Sequence, residues 1–319
     1  MFKTILKYKY LRVCVVLCLI VSYYIWRSEI WDFQRLTSRY SQYARGGNYK
    51  GTAPHMSPDQ STIIFSTPRT GRGDIYAFNL SDKQFHRLTN SNDYEGESIY
   101  SPDGKEIAYV REDEKAVPHI WVMDSDGNNQ RQLTDSPYED VEPAFTSKSD
   151  TIVFTRQGRM PETGVPGIQY FLFSVSLSEG KTTRLSPQGI QEDSPSYDYK
   201  GERRLYSSDG PPPGLWVADK RGKSTFVGEG RLFPNLSPNG MKIVFVLNNT
   251  DKPRQLCIMN WDGSSMQPVY ETRDYISGCS FGADSKKLVF EQTPIGRKAG
   301  DIIVFDLETR QKVMEFPVK

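Results

Sequence analysis

The sequence predicts an all-β fold, a six-bladed β-propeller of four-stranded blades, preceded by an N-terminal membrane helix. Three observations predict it. A ten-residue window that opens on a bulky apolar residue and closes on Phe or Tyr occurs six times, starting at Met56, Tyr100, Phe145, Tyr197, Leu236 and Phe281. Successive starts lie 44, 45, 52, 39 and 45 residues apart, and a period of roughly 40 to 50 residues with four strands per unit belongs to a propeller. The N-terminus stands outside this pattern, with a basic cluster leading into an apolar run.

Residues 1–10 form the basic flank, with Lys3, Lys7 and Lys9 expected on the cytoplasmic side. Residues 11–26, LRVCVVLCLIVSYYIW, are a signal anchor or signal peptide. A positive flank before an apolar run orients the chain N-terminus inside. Arg12 is placed to snorkel, and Tyr23, Tyr24 and Trp26 suit a membrane interface. No small-x-small cleavage site follows, which favours an uncleaved anchor. Either alternative exports the rest of the chain, to the periplasm if the cell is Gram-negative. Residues 27–47 carry Ile30, Phe33, Leu36, Tyr40 and Tyr43 at helical spacing, a membrane-proximal helix or stalk. QRLTS at residue 34 imitates an outer strand, but the six units are complete without it.

Residues 48–319 are the propeller. In each blade the window supplies two strands around a tight turn. A third strand follows: DIYAFNL, HIWVMDS, YFLFSVSL, GLWVADK, QLCIMNW and DIIVFDL. A fourth comes after another turn: FHRLTN, QRQLTD, TTRLSP, STFVGE, MQPVYE and KVMEFP. Their β-branched and aromatic bias is that of strands. Asp103-Gly104 in SPDG is the first turn of blade two, and TSKS, DYKG and GADS blur that turn in blades three, four and six. The formal net charge of +1 gives no electrostatic case for nucleic acid. Cys257 and Cys279 fall in two strand patterns and read as buried thiols rather than a disulfide framework.

SPDGKEIAYV, IWVMDSDGN and RQLTD of blade two, with weaker echoes in the other five, resemble the TolB-like propeller repeat, a relative of the WD-type blade. The resemblance covers residues 48–319 and implies a fold rather than an activity. TolB carries a further domain before its propeller, so the expectation here is a TolB-like propeller other than TolB itself.

Topology then directs attention to one face. In a four-stranded meander the loops between strands two and three, and between strand four and the next blade, share a face. Those loops are the variable ones, and binding residues concentrate on variable loops over a rigid scaffold. Five residues before the windows sit Glu95, Asp140, Glu192 and Arg231; three before them sit Glu97, Glu142, Ser194 and Phe233; Asp193 lies between. Three consecutive blades thus offer carboxylates to one sector of the channel mouth, faced by Arg231 and Lys50, while Arg69, Arg72, Arg111, Arg156, Arg159 and Arg254 make the outer loops basic. The bland alternative is a set of solvated loop charges. The sharper one is a bipolar recognition face for a peptide or protein, with a divalent cation in the channel as the only cofactor to consider.

The motifs that suggest an enzyme carry less. Gly278-Cys279-Ser280-Phe281-Gly282 matches a nucleophile elbow, but Ser280 lies inside a first strand with no helix after it. GKT at residue 180 and GKS at residue 222 lack the upstream glycine of a phosphate loop and read as turns. DSDGN at residue 124 lacks the ligands of a calcium loop. Oligogalacturonate lyase has a similar propeller whose metal is held by several histidines; of the three here, only His55 falls on an innermost strand, a weak metal candidate. The expected function is non-catalytic binding of an envelope protein or peptide by a membrane-tethered propeller. The alternative is an extracytoplasmic hydrolase or lyase, acting on carbohydrate or peptide at the channel mouth.

Overall fold

The computed structural model describes residues 53–67, 72–160, 167–229, 232–247, 253–297 and 299–318. The segments expected to form an anchor and a stalk, together with Lys50, Arg69 and Arg231, lie outside the described residues. Blade one comprises β1 (His55–Met56), β2 (Thr62–Thr67), β3 (Asp74–Asn79) and β4 (Phe85–Arg87). Blade two follows with β5 (Glu95–Tyr100), β6 (Glu106–Glu112), β7 (Pro118–Asp124) and β8 (Arg131–Gln132). Blade three has β9 (Glu139–Phe145), β10 (Thr151–Gly158), β11 (Gln169–Ser176) and β12 (Thr182–Arg184). Blade four has β13 (Glu192–Tyr197), β14 (Arg203–Ser208), β15 (Gly214–Asp219) and β16 (Ser224–Gly228). Blade five has β17 (Leu232–Leu236), β18 (Lys242–Leu247), β19 (Arg254–Asn260) and β20 (Gln267–Thr272). Blade six has β21 (Tyr275–Phe281), β22 (Lys287–Thr293), β23 (Asp301–Asp306) and β24 (Gln311–Pro317).

Each blade is an antiparallel sheet whose strands pair in chain order, and the first strands of successive blades adjoin, with β21 returning to β1. This is the predicted six-bladed propeller of four-stranded blades. No single sheet buries both faces, so the core consists of six apolar layers between blades. The aromatic residue closing each window sits in the middle of a second strand, and five of the six (Phe65, Tyr109, Phe154, Phe245 and Phe290) are fully buried.

The ring closes between blades six and one. Phe316 stacks on Phe78 with centroids 4.0 Å apart and lies 6.0 Å from Phe65. Thr67 Oγ1 donates to the Val318 carbonyl (3.0 Å), and Ser280 Oγ to that of Pro54 (2.8 Å). The outer strand of blade six is its own β24, as the repeat predicts.

The blurred turns are regular in three dimensions. In all six blades the fourth turn residue donates its amide to the carbonyl of the first, from Gln60 to Ser57 through Ser285 to Gly282. That fourth residue has positive φ whether it is Gly104 (74°), Gln60 (59°), Ser149 (59°) or Ser285 (58°). The two serines use their hydroxyls to accept the Asp103 and Asn239 amides of the preceding blade, at 3.2 Å each. A bond to a neighbouring blade offsets what a non-glycine residue loses there.

Candidate functional site: the inner rim of blades two to four

The carboxylates singled out in the sequence divide into two sets. The first, five residues before each window, turns into the blades. Asp140 is fully buried and meets Arg156 through two bonds, Nε to Oδ1 at 2.6 Å and Nη2 to Oδ2 at 2.9 Å. The Arg156 guanidinium also lies 4.6 Å from the Phe173 ring. Glu95 is fully buried and 3.8 Å from Arg111, with the Thr89 and Ser91 hydroxyls near enough to favour its charged form. Glu192 is buried and bonded by Ser186. Burial raises both glutamate pKa values.

The L-T and L-S pairs of the fourth-strand motif acquire a purpose here. Thr89, Thr134 and Ser186 use their hydroxyl oxygens to accept the third-strand amides of Ile75, Ile120 and Leu172, at 2.9, 3.0 and 2.7 Å. Thr89 and Ser186 also stand beside the first carboxylate of the next blade, Glu95 and Glu192, and partly oppose the effect of burial on its pKa. The first set is therefore structural, with Asp140 and Glu95 facing arginines of their own blades, Arg156 and Arg111.

The second set forms the inner rim. In blades two to six the first strand is interrupted by one residue in the left-handed region, Glu97 (φ 52°), Glu142 (54°), Ser194 (53°), Phe233 (52°) or Gly278 (55°), and in blade one Ala53 (40°) stands just before β1. The register shifts at this bulge, and four of the six are followed by proline (Pro54, Pro143, Pro195 and Pro234), the residue that breaks a ladder. Prolines at one place in successive repeats were the signal that locates these bulges in the sequence. At the rim, Glu97 Oε2 accepts the backbone amide of Glu142 (2.8 Å), and Glu142 Oε2 accepts that of Ser194 (3.0 Å). Thr155 Oγ1 also donates to Glu142 Oε2 (2.8 Å). Glu97 and Glu142 remain half-buried, while Asp193 beside them is buried.

Crowding has an electrostatic consequence. Burial first, then the charges of Asp193 and Glu97, push the Glu142 pKa from 4.5 up to about 7. Glu142 thus exchanges its proton around neutral pH.

His55 also lies on the inner strands, where Nδ1 accepts the Tyr100 amide of the next blade (3.3 Å). Burial pushes its pKa down to about 4, so it is neutral at pH 7. Among the described residues, no group of three or more His, Cys, Asp or Glu side chains is arranged to hold a metal ion. Cys257 and Cys279 are free and buried, and burial pushes the Cys279 thiol up to about 12. The outer basic residues are partly engaged: Arg72 with Glu112 (3.0 Å), Arg111 with Asp93 (3.0 Å), Arg156 with Asp140.

Fold and rim together define a class: a six-bladed repeat propeller with buried carboxylates inside its blades and an acidic inner rim. The chain belongs to the TolB beta propeller domain family, whose model matches residues 20–224. It is 37% identical over 93 residues to the Tol-Pal system protein TolB of Anaeromyxobacter dehalogenans strain 2CP-C, covering 29% of this chain and 21% of that protein. To the Tol-Pal system protein TolB of Helicobacter hepaticus it is 25% identical over 171 residues, covering 54% and 40%. These matches thus span less than half the length of the curated relatives.

The crystal structure of TolB from Acinetobacter baumannii superposes with a TM-score of 0.64 at 20% identity, over 83% of this chain and 62% of that one. Oligogalacturonate lyase from Vibrio parahaemolyticus superposes at 0.55 and 14% identity, over 82% and 76%. At these identities the likeness is one of fold.

Proposed function

We propose that this chain is a membrane-tethered, extracytoplasmic propeller that binds a protein or peptide without transforming it, through the inner rim and the variable-loop face. The Glu97–Glu142–Asp193 cluster carries this reading. Its glutamates are held by amides of the following blades, and Glu142 gains or loses charge near pH 7. A rigid acidic cluster of this kind suits a lysine, an arginine or an amino terminus on a polypeptide. Ile168 and Ile295 on the variable loops and Tyr275 at the start of β21 are exposed, adding apolar area for a protein partner to cover. That relatives are Tol-Pal system proteins supports a protein partner, and the basic flank with its apolar run supports an envelope location.

The test compares the full chain with Glu97→Gln/Glu142→Gln/Asp193→Asn, both immobilised against one envelope extract at equal salt. A protein retained by the wild type and lost from the variant supports the reading. Equal retention by both removes the rim from it. Turnover of an oligogalacturonate or peptide substrate, lost in the variant, would replace it with the hydrolase or lyase alternative.

A further inference from the structure

The six repeats act as internal controls for one another, and one interface departs from the rest. Two residues before the aromatic centre of each second strand stands Ile63, Ile107, Ile152, Ile243 or Leu288 in five blades, all fully buried. Their cross-strand partners are Phe78, Met123, Val175, Met259 and Phe305. These pairs fill the interface with the preceding blade. In blade four the pair is Arg204 and Ala218. The apolar layer between blades three and four is correspondingly small, with Val153, Leu172, Tyr206 and Ala218 as its buried members.

Exchanging an aliphatic–bulky pair for arginine and alanine opens a cavity of about 340 Å³ on the tight-turn face, away from the inner rim. Thr146 and Ser147 of blade three line one side; Tyr197, Arg204, Ala218, Asp219 and Lys220 line the other, and Asp219 Oδ1 is taken up by the amides of its own turn, Arg221 and Lys223 at 2.9 Å each. Arg87, Arg111 and Arg156 each bond a carboxylate. Arg204 instead lies 4.8 Å from the Tyr206 ring and hydrogen-bonds Tyr197. Among the described residues no carboxylate stands within 4.0 Å of it, and Glu192 acts on it only from farther away. Lys220 pairs at the surface with Glu202 (2.9 Å).

We infer that this cavity is a binding site for a small organic oxyanion. The ligand carries a carboxylate or phosphate group that takes the fork of Arg204, with Thr146 and Ser147 as further donors. A half-buried guanidinium with no carboxylate within 4.0 Å matches a planar or tetrahedral oxyanion through paired N–H groups. Tyr197 and Ala218 give the remainder of the ligand an apolar wall, and the volume is in the usual range for small-molecule sites. The site is independent of the proposed rim function.

Thermal unfolding of the full chain in sodium phosphate, sodium glutarate and sodium chloride at matched ionic strength tests this. The expected result is a saturable rise in Tm with phosphate or glutarate beyond that with chloride, and the anion that produces it assigns the oxyanion. Arg204→Ile/Ala218→Met, which restores the filling found in the other blades, is expected to abolish that rise without lowering the Tm in chloride. Arg204→Lys keeps the charge but loses the fork and is expected to weaken binding at least about fivefold. No rise above chloride in the wild type overturns the inference. So does an equal rise in the refilled variant or in Arg204→Lys, which marks general salting by an excluded anion rather than a site.

Discussion

Glu142→Gln isolates the proton held at the inner rim. The wild-type carboxyl has a pKa of 4.5 when unfolded and about 7 when folded, because burial and the charges of Asp193 and Glu97 oppose its ionisation. The folded state therefore binds the proton more tightly, and stability falls as pH rises from about 4.5 to about 7. At about 1.4 kcal/mol per pH unit the full shift corresponds to about 3 kcal/mol; sharing among three carboxylates on a partly hydrated wall leaves about 2 kcal/mol. Glutamine keeps an acceptor for the Ser194 amide and the Thr155 hydroxyl but does not ionise. His55 works in the opposite direction: its lowered pKa makes the fold lose stability as pH falls from 6.5 towards about 4. That contribution is common to both proteins and cancels in their difference. Urea unfolding of both, followed by tryptophan fluorescence across about pH 4.5 to 8.5, is expected to show the variant gaining about 2 kcal/mol on the wild type over that range. Parallel pH profiles would refute the argument, since they would mean that Glu142 is ionised throughout and serves only as an acceptor.

Other substitutions test the two carboxylate sets and the closure. Asp140→Ala leaves the Arg156 guanidinium buried without its partner and is expected to cost about 3 to 5 kcal/mol in the same unfolding assay, with Asp140→Ala/Arg156→Met recovering part of the loss. Gly278 has φ 55°, and a Cβ there would stand 2.7 Å from the Ala53 Cα, so Gly278→Ala is expected to cost more than about 2 kcal/mol and lower the Tm. Ser280→Ala, which removes the bond to the Pro54 carbonyl, is expected to cost about 1 kcal/mol and to leave any hydrolytic activity unchanged. Phe316→Ala empties the aromatic cluster joining blades six and one and is expected to cost about 3 to 5 kcal/mol, read by denaturant midpoint.

The sequence by itself determined the number of blades, the strand content of each and the chain-order pairing, while the closure between blades six and one is seen only in the structure. The first three follow from local signals: alternating apolar residues specify a strand, Asp-Gly and its relatives specify a turn, and the period says how often the unit recurs. It also placed Ser280 inside a strand, where the structure has it bonding a carbonyl across the closure. Spacing located the six carboxylates that precede the windows of blades two to four, Glu95, Glu97, Asp140, Glu142, Glu192 and Asp193, but not which way each points. A strand alternates faces only while its ladder is regular, and the left-handed bulge at Glu97, Glu142 and Ser194 breaks that rule. Only the tertiary structure therefore separates Glu95, Asp140 and Glu192, buried among the blades, from Glu97, Glu142 and Asp193 at the rim. The raised pKa of Glu142 is equally nonlocal, since the charges that raise it come from the two neighbouring blades, Glu97 of blade two and Asp193 of blade four. The Arg204–Ala218 pair was written plainly in the chain as two unremarkable residues. Its meaning depends on a cross-strand partner and a neighbouring blade, and sequence distance specifies neither.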